Sequence, residues 1–363
     1  MICQTIFHRS DYSTSFLHPR IIRIANCELR IANCELRIAN CKLRIANVFR
    51  HCVHLSFVHL FICHLFICSL AHSLSSFVFA RLCGIMSPMK QFLLLHHPKL
   101  PHAFTLAQQW ARELERRGAQ GALISAWDEN EIRRAAPDAT LAITLGGDGT
   151  ILRAARACAS ANLPILGINL GRVGFLSEMM PEQFDARAVA EGKYWIEERA
   201  MLRSIWSRDG ESRGEAEALN DVVVGRGKLA RVIRLATYID GDYLKTFVSD
   251  GAIVATATGS TAYVFATGGP ILAPEVRTLV LVPIAPYLSQ LKSLVLPEGS
   301  RVLFRLETDH DAILTVDGQI DVELQNGDEV LVQASKQIAR FARFQARTYF
   351  YGTLVDRLRE RGA

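Results

Sequence analysis

From Met89 onward the hydrophobic positions form two successive patterns. In the first, Gln91–His96 is an apolar run of strand length. Residues Ala103–Arg117 then place Phe104, Ala107, Trp110, Ala111 and Leu114 at helical spacing, and Gly118 stops the run, which predicts a helix. Ala122–Ser125, Leu141–Leu145 and Pro164–Ile168 are three more strand-length runs, and the alanine-rich Ile151–Ala159 reads as a second helix. Strands alternating with helices predict a doubly wound, Rossmann-like α/β domain with a parallel sheet, spanning 89–190.

Beyond about residue 190 the period shortens. Arg203–Ser207, Asp221–Gly225, Val232–Ile239, Leu244–Val248, Ala252–Thr256, Leu279–Val282, Val302–Leu306, Ala312–Val316 and Val330–Gln333 all read as strands. Asp240-Gly241, Asp317-Gly318 and Asn326-Gly327 punctuate them as turn pairs. This predicts an antiparallel β-sandwich domain over 191–335. Tyr349–Leu358 reads as a helix, in a tail (336–363) expected to return to the α/β domain.

The first 88 residues differ in kind. Arg23–Asn47 repeats RIANCEL almost without change, closer to a tandem repeat than to a coiled-coil heptad. His51–Ala80 contains no Lys, Arg, Asp or Glu and holds HLFIC twice. That run has bilayer-spanning length. Its five His lack metal-site spacing and nearby carboxylates. A chain beginning at Met86 or Met89 would open almost directly on the first strand. Residues 1–88 are therefore expected to lie outside the working protein, a membrane anchor or signal being the alternative.

Composition changes the picture once the chain is divided. Residues 1–88 carry nine Lys/Arg and three Asp/Glu, a net of +6, so the +5 of the whole chain leaves −1 for the remainder. That balance argues against a nucleic-acid partner. Eight of the nine cysteines precede residue 84, leaving Cys158 alone. One thiol cannot build a disulfide framework, which fits a cytoplasmic protein. Nothing in 89–363 suggests a membrane partner.

The chemistry centres on Gly146-Gly147-Asp148-Gly149-Thr150, between an expected strand and an expected helix. Glycines let the backbone approach a ligand, and the helix start offers free N–H groups to an anion. A carboxylate beside phosphates repels them, so Asp148 must orient a hydroxyl, accept its proton or hold a metal ion. The plain alternative is a capped strand-to-helix turn. The motif resembles several kinase families, including diacylglycerol and sphingosine kinases and phosphofructokinases. A second cluster, Thr256, Thr258, Ser260 and Thr261 around Gly259, exposes hydroxyls and amides suited to ribose, amide or phosphate groups. Asn220 and Asp221 offer the donors and acceptors that adenine or ribose edges need. Asp250-Gly251 reads either as a hairpin turn or as the opening of the threonine block.

Four blocks in order, GGDGT, NLGRVGFL (Asn169–Leu176), Asn220-Asp221 and DGAIVATATGSTAY (Asp250–Tyr263), resemble the NAD kinase family over roughly 140–320. Glu197-Glu198-Arg199 before a hydrophobic run resembles it too. The resemblance implies transfer of the γ-phosphate of ATP to the 2′-hydroxyl of the adenosine ribose of NAD, with Mg²⁺ or another divalent cation accompanying ATP. It implies a homodimer or homotetramer whose NAD site lies between the two domains and includes a neighbouring subunit. Asp148 would align the ribose hydroxyl. Gly147, Gly149 and Thr150 would face phosphates, and Phe175 would pack near adenine. Asn220, Asp221, Asp250, Thr258, Thr261, Ala262 and Tyr263 would line the NAD site.

The chain departs from the family pattern where TPTGSTAY gives way to Ala257, where SLSAGGP loses a hydroxyl at Ala266, and where Pro-His becomes Pro286-Tyr287. These motivate one rival, a nucleotide-binding homologue with weak or no turnover; the glycine-rich loop leaves another, a lipid or small-molecule kinase, against which the threonine block and NLGRVGFL argue.

Overall fold

The computed structural model describes residues 89–362 apart from 172–173, 228–230 and 309. The repeats and apolar run of 1–88 lie outside the described residues, as do Arg172 and Val173 of the NLGRVGFL block. Strands β1 (Gln91–His96), β2 (Gln120–Ser125), β3 (Leu141–Gly146) and β4 (Ile165–Asn169) alternate with helices α1 (Pro101–Glu115), α2 (Glu129–Ala135) and α3 (Asp148–Cys158). The four strands are parallel in the order β2-β1-β3-β4. Alternate residues of β1 serve opposite faces. Phe92 and Leu94 meet Trp110 and Leu114 of α1, while Leu93 and Leu95 join the cluster holding Ile151 and Ala155 of α3. Burial on both faces explains why β1, β3 and β4 read as continuous apolar runs.

After the short helix α4 (Ala186–Glu191) come the antiparallel strands β5 (Trp195–Arg208), β6 (Glu211–Ala218), β7 (Asp221–Arg226), β8 (Ile233–Ile239), β9 (Asp242–Ser249) and β10 (Gly251–Thr256). Helix α5 (Tyr263–Ala266) follows, then β11 (Thr278–Ile284), β12 (Leu294–Pro297), β13 (Arg301–Leu306), β14 (Ala312–Val316), β15 (Ile320–Leu324), β16 (Glu329–Arg343) and helix α6 (Tyr349–Gly362). One sheet runs β12-β11-β10-β7-β14-β15. Its inner face (Val222, Val224, Ala252, Val254, Leu279, Leu281) packs against Leu235, Val302, Phe304, Val330 and Val332, which makes the sandwich core.

The other layer of the sandwich is continuous with the parallel sheet. Strand β16 pairs antiparallel with β13 and β5, and its Phe341 bridges in parallel to Ile165 of β4. The register of β16 against β5 shifts between Ala334 and Ile338. The tail thus returns to the α/β half, carrying α6 with it. No helix of the described residues is long and apolar enough to cross a membrane.

Several elements exceed or escape the sequence expectations. Strands β5 and β16 extend far beyond 203–207 and 330–333 because their added residues include buried charges. Glu197, Arg199 and Arg343 are each no more than 3% exposed, and Glu197 pairs with both arginines. Strand β6 reads ESRGEAEA, with only Ala218 fully buried, so it carries no apolar alternation. Helix α2 buries only Ile132 and is held by the Asp128 side chain, which accepts the Glu131 amide at 2.9 Å.

Candidate active site

The parallel sheet reverses its winding between β1 and β3, and open α/β sheets bind ligands at such a switch point beyond the strand carboxyl ends. Strand β3 ends at Gly146. Gly147 caps α3 with extended backbone, and Asp148 is the first residue of the helix. The glycine-rich run is therefore a strand end passing directly into a helix, with Asp148, Gly149 and Thr150 inside the first turn rather than in a loop before it. A cleft of about 260 Å³ adjoins it, lined by His97, Trp127, Gly147, Gly149, Thr150, Arg153 and Gln319. The Arg153 guanidinium lies 4.7 Å above the Trp127 ring, so the cleft offers a cation, an aromatic and a helix N-terminus together.

Asp148 is fixed by the NLGRVGFL segment. Its Oδ2 accepts the Phe175 amide at 3.0 Å and its Oδ1 the Leu176 amide at 3.2 Å. The approach is close enough that a Cβ on Gly174 would stand 2.6 Å from Oδ2, and closer still to Oδ1 and Cγ. Phe175 itself is buried, with the Arg357 guanidinium 6.0 Å from its ring centroid.

Asn220, Asp221 and the threonine block form a second group. The Asn220 carbonyl accepts the Thr256 amide at 2.9 Å, and a Cβ on Gly259 would overlap that same carbonyl. The Thr256 hydroxyl donates to Leu219 O at 2.6 Å and accepts the Gly259 amide at 3.1 Å. Thr261 Oγ1 donates to Thr258 O at 3.2 Å, and Tyr263, 44% exposed, begins α5 just beyond Ala262. The buried hydroxyls Thr258 Oγ1 and Thr150 Oγ1 make no hydrogen bond. An unmet buried hydroxyl costs about 1–3 kcal/mol, so both atoms suit a polar substrate group.

The two groups are joined by residues that the sequence reading treats only as a turn. Asp317 Oδ1 accepts the Asn220 amide at 2.7 Å and the Asp221 amide at 3.3 Å, and its Oδ2 accepts Leu219 N at 3.0 Å. Arg156 of α3 donates to Asp317 Oδ2 at 3.1 Å and to Gln319 Oε1 at 2.7 Å, while Gln319 Nε2 donates to Gly149 O at 2.9 Å. A DGQ triplet and an arginine two turns into α3 thus tie the phosphate-side turn to the Asn220 strand. The only sequence signal for them is the Asp-Gly pair, which β turns share.

Asp250 is not brought to this cluster. It connects β9 to β10, where its carboxylate is 3.3 Å from Arg226, while the threonine block begins at the far end of β10. By the rise of a strand that is about 20 Å away.

Asp221 is 6% exposed, and burial followed by the neighbouring Asp317 carboxylate pushes its carboxyl up to about 7. Burial raises Asp317 as well, but three amides and Arg156 oppose it, so Asp221 is the carboxyl of the two that more readily takes up a proton. The folded chain then binds a proton that the unfolded chain releases above about pH 4, and stability falls as pH rises from about 4 through 7. The shift corresponds to roughly 4 kcal/mol at most. Asp221→Asn should flatten this fall in a comparison of melting temperature at pH 5 and pH 8. Parallel profiles for the variant and the unaltered chain would refute the assignment.

Among the described residues no cluster of three or more His, Cys, Asp or Glu could hold a metal ion. Magnesium commonly binds through one or two carboxylates and the substrate's phosphates; the cleft lining itself holds no carboxylate, and Asp148, between the lining residues Gly147 and Gly149, is the nearest in sequence. Cys158 is buried in α3 and its thiol is pushed up to about 12, which makes it inert.

Comparison with known proteins finds two family models in sequence order. The ATP-NAD kinase N-terminal domain matches residues 67–194, beginning inside the N-terminal extension, and the ATP-NAD kinase C-terminal domain matches 219–344. An NAD kinase of Chloroflexus aggregans is 44% identical over 224 residues, 61% of this chain and 81% of its own. An NAD kinase of Chloroflexus aurantiacus is 38% identical over 273 residues, 75% of this chain and 99% of its own. The solved structure of an NAD kinase from Archaeoglobus fulgidus in complex with ATP superposes with a TM-score of 0.60 at 30% identity, covering 75% of this chain and 99% of that one.

Proposed function

The chain belongs to the ATP-NAD kinase family, and from that premise we propose how its residues divide the work. It is an NAD kinase, transferring the γ-phosphate of ATP to the 2′-hydroxyl of the adenosine ribose of NAD to give NADP. The observation that carries the assignment of roles is the Asp148 carboxylate, held by two amides at the start of α3 and beside the cleft.

In this reading the ATP phosphates enter the cleft along Gly147, Gly149 and Thr150, with Arg153 neutralising charge. NAD lies across Asn220, Asp221 and the segment Thr258–Tyr263, where the unmet Thr258 hydroxyl takes a hydrogen bond from it or gives one to it. Asp148 accepts a hydrogen bond from the 2′-hydroxyl and aims its oxygen at the γ-phosphorus. As the new O–P bond forms, the bond from the γ-phosphorus to the leaving ADP oxygen breaks, and the hydroxyl proton passes to Asp148. Phosphoryl transfer has a loose transition state, so alignment contributes more than proton removal. A divalent cation, when bound with ATP, supplies further neutralisation of the phosphates. Asp148 is the residue that would approach it.

Asp250 stands before β10, at the end opposite the threonine block, so in this reading its expected contact with NAD is made to a neighbouring copy in a homodimer or homotetramer. Residence in the cytoplasm belongs to the same reading. The test is direct. The chain, given NAD, ATP and Mg²⁺, should form NADP, read with an NADP-specific dehydrogenase, and a chelator should stop it. Folded protein that binds NAD yet forms no NADP would leave a binding homologue as the answer, and Ala257, Ala266 and Tyr287 as the positions to revert.

A further inference from the structure

The segment Phe175–Ser177 leaves the sheet and buries its backbone carbonyls where no strand can pair with them. Buried carbonyls need donors. Here the donors come from the end of the chain. Arg357 of α6, 6% exposed, donates from Nη1 to Phe175 O at 2.9 Å and from Nη2 to Ser177 O at 3.4 Å. Arg343, at the end of β16, donates from Nη1 to Leu176 O at 3.2 Å and is itself held by Glu197 and Glu178. Its neighbour Tyr349 donates to Glu197 at 3.0 Å and accepts from Arg199 at 2.8 Å.

The covalent geometry gives the Arg357 contact its meaning. Phe175 O and the Leu176 N–H belong to one peptide group, which is planar and trans, with its C=O and N–H pointing in opposite directions. Arg357 holds one end of that group at 2.9 Å and Asp148 Oδ1 accepts from the other at 3.2 Å. Any rotation of this peptide carries the Asp148 carboxylate with it. Hydrogen bonds in such a chain also polarise one another, so the guanidinium strengthens the Leu176 N–H as a donor. A planar fork with several donors can span Phe175 O and Ser177 O together, which an ammonium cannot.

We propose that Arg357 is a positioning residue for the phosphoryl transfer: through the Phe175–Leu176 peptide it sets the orientation of the Asp148 carboxylate, although it touches neither substrate. The inference rests on Asp148 serving the ribose hydroxyl.

The test compares Arg357→Gln and Arg357→Lys with the unaltered full chain, using NAD, ATP and Mg²⁺. A misplacement near 1 Å at a reacting group costs on the order of a hundredfold. Arg357→Gln should therefore lower kcat by about tenfold to a hundredfold, with KM for NAD and for ATP within about twofold. Arg357→Lys, which keeps the charge and one donor, should recover most of the loss. The proposal is overturned if folded Arg357→Gln keeps its kcat, if the loss appears in KM instead of kcat, or if both variants lose kcat equally. Should the glutamine variant fail to fold, the lysine variant carries the test. With one bond fewer to Ser177 O its kcat should stay measurably below that of the unaltered chain at unchanged KM, and an unchanged kcat overturns the assignment. Asp148→Asn, assayed alongside, separates the two readings. An active Asp148→Asn enzyme overturns the role of Asp148 itself, whereas an inactive one with an unaffected Arg357→Gln overturns only the positioning.

Discussion

Asparagine in place of Asp148 should lower kcat for NADP formation by about a thousandfold and leave the chain folded. The magnitude is that of a positioned acid–base group, about 10²–10⁴. Asparagine keeps the shape and one acceptor, but it loses the charge that orients a hydroxyl and can take its proton. It also meets the Phe175 and Leu176 amides with one oxygen and one NH₂, where the carboxylate offered an acceptor to each. One of the two amides then faces another donor, at a cost of about 1–3 kcal/mol. A drop of several degrees in melting temperature is therefore expected beside the kinetic loss. KM for NAD should change little, since Asn220, Asp221 and the threonine block keep their frame through Asp317. Steady-state kinetics and a melting curve decide it. An Asp148→Asn enzyme retaining more than a tenth of kcat would rule out the proposed role.

Alanine at Gly174 should be nearly as damaging, although it adds one methyl group and touches no substrate. The added carbon would overlap the Asp148 carboxyl, at 2.6 Å from Oδ2 and nearer to Oδ1 and Cγ. Either the carboxylate turns away or the segment 174–176 lifts off it, and in both cases the amide bonds to Asp148 break. Displacement of a reacting group by about 1 Å costs on the order of a hundredfold, so kcat should fall by that much or more. The cause can be checked through stability. Gly174→Ala should lower the melting temperature in the unaltered chain and cost much less in an Asp148→Ala background, where the obstruction is gone. Equal costs in the two backgrounds would place the strain elsewhere.

The parts of this site legible in the sequence are those whose residue types are unusual where they stand. A Gly-Gly-Asp-Gly-Thr run after a buried strand, or four hydroxyl residues around Gly259, departs from what core or surface demands. The α/β half was readable for a related reason: β1, β3 and β4 are buried on both faces and show unbroken apolar runs. The rest is hidden because its chemistry is ordinary when read locally. Asp317-Gly318 has the composition of a turn and makes one, yet its carboxylate also organises Leu219, Asn220 and Asp221 from nearly 100 residues away in sequence. Arg343 and Arg357 look like surface charges in strand and helix. Their burial depends on Glu197, Glu178 and the Phe175 and Ser177 carbonyls, none of which is near them in the chain. Such partners have no periodicity to read. The same buried charges shortened the expected limits of β5 and β16. Asp250 shows the reverse. It sits in a telling block but at the end of β10 opposite the threonine residues.

The path of β16 has a consequence for how the molecule is made. A ribosome delivers Asp148 long before Arg357, which comes 209 positions later. At roughly 5–20 residues per second that is an interval of about 10–40 s. Throughout it, the edge of β4 away from β3 is covered only toward its end, where Glu178 and Met179 bond to Gly167 and Asn169, while Ile165 waits for Phe341. An unpaired apolar strand edge is the kind of surface on which nascent chains stick to one another. The sandwich is in the same position, because β13 and β5 both wait for β16. Both halves therefore take a strand partner from β16, and the segment that holds Asp148 gains Arg357 later still.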